Sequence, residues 1–459
     1  MLRCLLPISF VFSISVATAQ QHDQDSVQLR KLADEVLTHS TAYANLKILT
    51  KEIGGRLAGS PEMYKAEQWG VKALQAAGAD TVYLQECMVP HWVRGDKEEV
   101  RIISKRRDFV PPLQVTALGN SVGSDPAGIT APVLEVSSFD DLEAKKDEVK
   151  GKIVFYNYHF NPRFIKTFHA YGDAFMYRAD GASRAAKYGA LAVIVRSMSH
   201  AADNFPHTGA MRYNDSFPKV PAVAIGLEDA DLLSDRIRDD KDMKLYLHTS
   251  CRFLPDTIGH NVIAELRGSE HPDEIITVGG HLDSWDVNEG AHDDGAGCVQ
   301  SIEVLRAFKA LGIRPKRTLR VVLFANEENG TRGAKKYADA ARAAGEHHLF
   351  ALESDAGGFT PRGFTLTMSP AQRAKVESWK NLFLPYGLYD FSEVGGGVDV
   401  GMLNEALGTP MGELSPDSQR YFDVHHAASD VFEAVNKREL ELGAFSMAAL
   451  IYMIDRYGL

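Results

Sequence analysis

Three apolar segments in the second half of the chain run directly into carboxylate or imidazole. Ile276-Thr277-Val278-Gly279-Gly280 ends in His281-Leu282-Asp283, Val321-Val322-Leu323-Phe324 leads to Glu327-Glu328, and Phe350-Ala351-Leu352 leads to Glu353-Ser354-Asp355. Short apolar runs of this kind read as buried strands, and helical patterns separate them. Helices are expected over 295–311, 332–344 and 438–457, the first with Val299, Ile302, Leu305 and Phe308 on one side. Such alternation predicts an α/β fold, a mainly parallel mixed sheet with helices on both faces. In folds of this class functional groups collect beyond the carboxyl ends of the strands.

Carboxylates converging at one sheet edge repel each other, and a bound divalent cation reverses that cost. Two further clusters belong to the same pattern. One is Gly290-Ala291-His292-Asp293-Asp294-Gly295, where glycine lets the backbone turn tightly around Asp293. The other is Tyr421-Phe422-Asp423-Val424-His425-His426, followed by Asp430. Each residue alone has an ordinary reading: an interior histidine, a solvated helix start, an N-cap. Together, in order and at strand ends, they indicate a metal site. Histidine and carboxylate without thiolate suit zinc, and less selectively manganese or cobalt. Adjacent Glu327 and Glu328 point in different directions, so one can bind metal while the other acts as general base.

The first half is organised differently. Helices are expected over 26–49 and from Pro61 to about Ala77, with Ser60 as N-cap, and a strand over 81–85. Residues 1–20 have a positive start at Arg3, an apolar stretch and Ala17-Thr18-Ala19, the pattern of a cleaved export signal. Segment 114–256 reads as short strands around a helix, a small mixed domain. The expected division is 1–20 signal, 21–113 first part of the catalytic domain, 114–256 insert, and 257–459 metal-binding part. No other segment is long and apolar enough for a membrane span. Lys and Arg total 50 against 61 Asp and Glu, a net charge of -11 that argues against nucleic acid as the partner. Loss of Cys4 with the signal leaves Cys87, Cys251 and Cys298, an odd number that allows a Cys87–Cys251 bridge without requiring one.

The runs Gly279 to Val287 and Gly290 to Gly295, with Arg314 to Arg320, Glu353 to Gly357 and Gly55 to Ser60, resemble the co-catalytic dizinc aminopeptidases and glutamate carboxypeptidases. The resemblance spans nearly all of the chain after the signal. It implies a zinc-peptidase (phosphorylase/hydrolase-like) fold with a protease-associated-like β/α insert, two Zn2+ per chain, and hydrolysis of dipeptides or short peptides by an exported exopeptidase. By the same resemblance Asp293 bridges the metals, His281 and Asp355 complete one site, and Glu328 and His426 the other. Glu327 is then the general base, and Asp283 orients the His281 ring. His426 is preferred to His425 because only His426 forms the family's His-x-x-x-Asp pattern, with Asp430. A cis peptide bond is implied at Asp293-Asp294, and a homodimer is allowed. Glutaminyl cyclases and non-catalytic receptor ectodomains on this scaffold are the alternatives; the first would keep one zinc, the second would have lost ligands or base. Dipeptidase, aminopeptidase and carboxypeptidase action are not separated by these motifs.

Overall fold

The computed structural model describes residues 9–105 and 110–459, and the expected signal segment 1–20 lies outside the residues whose side chains are described. Among the described residues no helix is long and apolar enough to cross a membrane.

Among the described residues, two seven-stranded sheets organise the chain. The first has the spatial order Thr81–Val93, Arg252–Leu266, Arg317–Phe324, His271–His281, His347–Glu353, Met411–Pro416, Pro361–Thr367. Its inner four strands, from Arg317–Phe324 to Met411–Pro416, are parallel, and the pairs outside them are antiparallel. Residues 321–324 of the strand Arg317–Phe324 are apolar on both faces because both are covered. Leu319, Val321 and Leu323 enter a core shared with the helices Ala296–Ala310 and Lys437–Tyr457. Val322 and Phe324 enter a separate core with Arg332–Ala344 and Val398–Leu407. This is the α/β architecture expected from the strand–helix alternation, with the parallel pairing confined to the sheet centre.

The second sheet has the order Glu99–Ile103, Lys244–His248, Ile129–Val136, Ile153–Tyr156, Ala192–Arg196, Ala222–Ile225, Val115–Ala117. Its edge strand Glu99–Ile103 comes from segment 21–113. Glu99–Ile103 pairs antiparallel with Lys244–His248, a partner too distant in sequence for local patterning to reveal. The strand Thr81–Val93 is also longer than the expected 81–85, because Arg252–Leu266 pairs with it from Thr81 to Val93.

The two sheets meet at Trp285, four residues past the end of the His271–His281 strand. Its ring packs edge-on to Trp92 with centroids 6.3 Å apart, in one core with Leu57, Val100 and Leu247. Arg94 reinforces the junction, reaching Asp286 at 2.6 Å and Glu98 at 3.1 Å. Cys87, Cys251 and Cys298 are all buried free thiols, so the bridge left open by the cysteine count is not formed.

Candidate metal centre

Strand register brings the polar residues together. His281 pairs opposite Phe324, and Gly279 opposite Glu353, so three adjacent parallel strands end at one level. Their following residues deliver His281, Glu327 with Glu328, and Asp355 to one place. A tight turn over Ala291–Gly295 supplies Asp293, and the residues after the short helix Tyr421–Val424 supply His425 and His426.

Asp293 lies between two histidines. Its Oδ1 is 3.2 Å from His281 Nε2 and its Oδ2 is 3.2 Å from His426 Nε2. His281 Nε2 also lies 3.3 Å from Asp355 Oδ1, and His426 Nε2 lies 3.2 Å from Glu328 Oε2. These contacts form two donor groups that share one carboxylate. His425 is stacked on His426 at 3.5 Å between centroids, but its Nε2 is 3.8 Å from Asp293 Oδ2. His426 is thus the nearer of the two imidazoles to Asp293, and Asp293, His425 and His426 form one cluster of possible metal donors.

The hydrogen bonds behind the rings decide what the centre needs. His281 Nδ1 lies 3.0 Å from the main-chain carbonyl of Asp283, and His426 Nδ1 lies 3.3 Å from the carbonyl of Thr208. A ring that donates its Nδ1 proton to a carbonyl turns the Nε2 lone pair forward. Both lone pairs then face carboxylate oxygens, which is favourable only with a cation or proton between them. Asp293 Oδ2, Glu328 Oε1 and Asp355 Oδ1 are buried without a hydrogen-bond partner. Imidazole and carboxylate donors with orphaned buried oxygens fit a borderline divalent cation such as zinc.

Protonation follows the same logic. Burial works against a charged His426, yet Glu328 and Asp293 raise it to about 10; burial likewise opposes the Asp355 and Asp293 carboxylates that push His281 up. Burial alone would raise Asp293, but the two imidazoles hold it well below the ordinary carboxylate range. Burial together with Asp293 pushes Glu328 up to about 7. Burial, with Asp355 and Glu328 nearby, raises Glu327. Half-buried Glu327 faces an 830 Å³ cleft that also exposes Asp293, Asp355 and His426.

The support of the centre departs from expectation at one residue. The Asp283 carboxylate is 3.8 Å from His281 Nδ1, and the main-chain oxygen makes the closer contact. The carboxylate instead accepts the backbone N–H of Glu327 at 3.0 Å and of Glu328 at 3.3 Å. It fixes the Glu-Glu turn, because a carboxylate with two lone-pair-rich oxygens is the group that unsatisfied turn amides require. Asp294 accepts the N–H of His281 and of Gly297, and Asp430 accepts those of His292 and Asp293. The Asp293-Asp294 peptide bond is cis. Arg56, fully buried, donates to the carbonyls of Leu282, Glu289 and Gly290 and holds the loop before Asp293.

Thus His281, Asp283, Asp293, Glu327, Glu328, Asp355 and His426 are brought together, as the strand-end pattern predicts. The support from Arg56 is not foreseeable from patterning, since its acceptors are main-chain carbonyls far along the chain. Nor are Asp399 and Glu413, acids raised by burial and by neighbouring carboxylates, the strand-end Glu353 among them. Glu353 accepts the amide of Val400 at 2.8 Å, and burial raises it to about 7.

The histidine–carboxylate cluster lies beyond the parallel strand ends of an α/β sheet, where folds of this class carry their functional sites. The model for peptidase family M28 matches residues 261–451. Carboxypeptidase Q of Mus musculus is 36% identical over 413 residues, which is 90% of this chain and 85% of that protein. The crystal structure of a peptidase M28 precursor from Shewanella amazonensis SB2B superposes with a TM-score of 0.89 at 34% identity, covering 95% of this chain and 97% of the other. BSAP, a zinc aminopeptidase from Bacillus subtilis, shares the fold, with a TM-score of 0.63 at 19% identity over 90% of this chain and 93% of its own. The chain belongs to peptidase family M28, and it is a metallopeptidase.

Proposed function

We propose that the protein is an exported exopeptidase that holds two Zn2+ ions and hydrolyses dipeptides or short peptides. His281, Asp293 and Asp355 would hold one ion, and Asp293, Glu328 and His426 the other. The observation that carries this reading is Asp293, whose two oxygens each face the Nε2 of a different histidine at 3.2 Å. When bound, such a pair of cations acidifies water and polarises a carbonyl. Glu327 would take the proton of the attacking water and return it to the leaving amine, as its position on the cleft and its raised affinity for protons suit. Asp283 would keep Glu327 and Glu328 on their separate tasks by holding both amides. The second sheet, as an insert, would supply one wall of the cleft through Asn120, Tyr171 and Arg178. Export rests on the character of residues 1–20.

The test is elemental analysis of the purified protein beside a hydrolysis screen of free, N-blocked and C-blocked dipeptides. About two zinc per chain with peptide hydrolysis is expected. One tightly held ion with cyclisation of N-terminal glutamine would overturn the proposal.

A further inference from the structure

The two histidines that face Asp293 are seated by different parts of the chain. His281 is supported from its own neighbourhood: its Nδ1 lies 3.0 Å from the carbonyl of Asp283, and its N–H donates to Asp294. His426 is supported from across the cleft, by the turn 207–209 between the strands Ala192–Arg196 and Ala222–Ile225 of the second sheet. The Thr208 N–H donates to the His426 carbonyl at 2.9 Å, and the Thr208 carbonyl lies 3.3 Å from His426 Nδ1. One residue thus holds both the main chain and the ring of His426. Arg178 Nη1 lies 3.4 Å from the same ring nitrogen, but a guanidinium can only donate. With the Nε2 lone pair turned toward Asp293 and Glu328, the ring proton sits on Nδ1, and Thr208 is its acceptor.

His426 needs such a grip. Its φ of 62° is left-handed, a conformation that a residue with a side chain keeps only where its surroundings fix it. The turn that fixes it is itself tied to the second sheet. Ser197 Oγ accepts the N–H of His207 at 2.9 Å and donates to the Ile225 carbonyl at 2.7 Å. The Thr208 hydroxyl donates to the Ala117 carbonyl at 2.8 Å, and the Gly119 N–H donates to the Gly209 carbonyl at 3.0 Å. His207 and Thr208 are both buried. Gly209 supplies the clearance, because a Cβ there would lie 2.6 Å from His426 Nδ1 and collide with the Arg178 guanidinium.

From these observations we propose that Thr208 is a positioning residue for His426, so that the metal site at Glu328 and His426 depends on the docked second sheet while the site at His281 does not. The inference rests on the two-zinc reading of this centre and deepens it. A ring held in one orientation and one tautomer before the ion arrives binds it more tightly than a ring that must be ordered on binding. The link is reciprocal: an ion held through His426 also fastens the turn, and with it the second sheet, to the first. His281 has no such link, since Asp283 and Asp294 belong to its own part of the chain.

The experiment compares wild type with Thr208→Val, Thr208→Ser, Gly209→Ala and Gly189→Ala. Thr208→Val removes the hydroxyl that ties the turn to Ala117, whose carbonyl keeps its bond from Arg94, and Thr208→Ser retains that hydroxyl. Gly189→Ala is the control: it strains another left-handed glycine of the same part of the chain, where a Cβ would meet Lys150 and not His426. Zinc titration in competition with a chelator should give two steps in the wild type. In Thr208→Val and Gly209→Ala one step should weaken by about 10- to 100-fold while the other is unchanged. Thr208→Ser and Gly189→Ala should keep both. Crystals of the weakened variants at an intermediate zinc concentration should hold the remaining ion on the His281 side. Two unchanged steps in Thr208→Val overturn the proposal. So does equal weakening of both steps, loss on the His281 side, or the same loss in Gly189→Ala, because each marks general destabilisation. If the wild type takes up fewer than two ions, the two-zinc reading fails by itself. Thr208 is then judged on metal-free crystals of Thr208→Val and Gly209→Ala, in which the His426 ring should have left Asp293 and Glu328; a ring that stays in place overturns the proposal.

Discussion

At the scale of single residues, two neighbouring acids carry different tasks, and substitution separates them. Glu327→Gln removes the carboxylate facing the cleft without touching the donor groups around Asp293. Metal content should be unchanged, and kcat should fall by about 10²- to 10⁴-fold, the range for loss of a general base. Zinc analysis and dipeptide turnover on one preparation check both halves, and near-normal turnover would remove Glu327 from the role. Asp283→Asn is more discriminating. The Asp283 carboxylate holds the amides of Glu327 and Glu328, whereas the His281 ring contacts the main-chain carbonyl. The substitution should therefore weaken the Glu328 side of the centre by about 10- to 100-fold in metal affinity and spare the His281 side. Titration in metal buffers should show one zinc lost before the other. Weakening confined to the His281 side would return Asp283 to the role expected from sequence, that of orienting His281.

At the scale of elements, the centre is as good as the register of three strands and the joint that covers them. Gly119 tests the joint, because a Cβ there would lie inside the Trp285 ring that links the two sheets. Gly119→Ala is expected to cost about 1–3 kcal/mol, the usual range for overpacking, and to reduce turnover because Trp285 leans on His426 at 5.8 Å. Denaturant unfolding and dipeptide kinetics measure both effects. The joint also marks the limit of what sequence patterning reveals. Strands buried on both faces, such as Arg317–Phe324, and the helices Ala296–Ala310, Arg332–Ala344 and Lys437–Tyr457 were legible to within about a residue at each end, whereas the helix expected over 26–49 is interrupted at Ser40-Thr41 and passes into a wider turn over Ile48–Ile53. So was the convergence of the strand-end side chains, because a charged residue directly after an apolar run has no cheap place to go. Met411–Pro416 and Pro361–Thr367 were not, since they mix polar and apolar residues and gain their identity only from pairing at the sheet edge. Glu99–Ile103, an edge strand defined by its pairing with Lys244–His248, carries no such signal for the same reason. Arg56 falls within the Gly55 to Ser60 run that carries the family resemblance, but its task is not legible there, because a lone arginine acquires meaning only from the carbonyls around it.

For the whole molecule, the same charges that organise a metal centre make the metal-free protein sensitive to pH in a definite direction. Burial and neighbouring acids raise Glu328, Glu353 and Asp430 to about 7. In the unfolded chain such groups titrate near 4. Between those values the folded chain binds more protons than the unfolded one, so stability falls as pH rises. His426, raised to about 10 despite burial, contributes in the same sense. Its stabilisation is complete below about 6.5 and lost as pH climbs toward its folded value. Asp293, held low by the two imidazoles, acts oppositely, but only in acid below the ordinary carboxylate range. Zinc binding requires the same groups without their protons, so its affinity grows as they are released. The metal-free protein should therefore lose Tm steadily from about pH 5 to pH 8, while the gain in Tm on adding zinc widens over that interval. Thermal unfolding with and without chelator across the interval reads both slopes. A metal-free Tm that rises with pH would show that these carboxylates are held as stable anions by some other charge, and would remove the electrostatic case for a cation at Asp293.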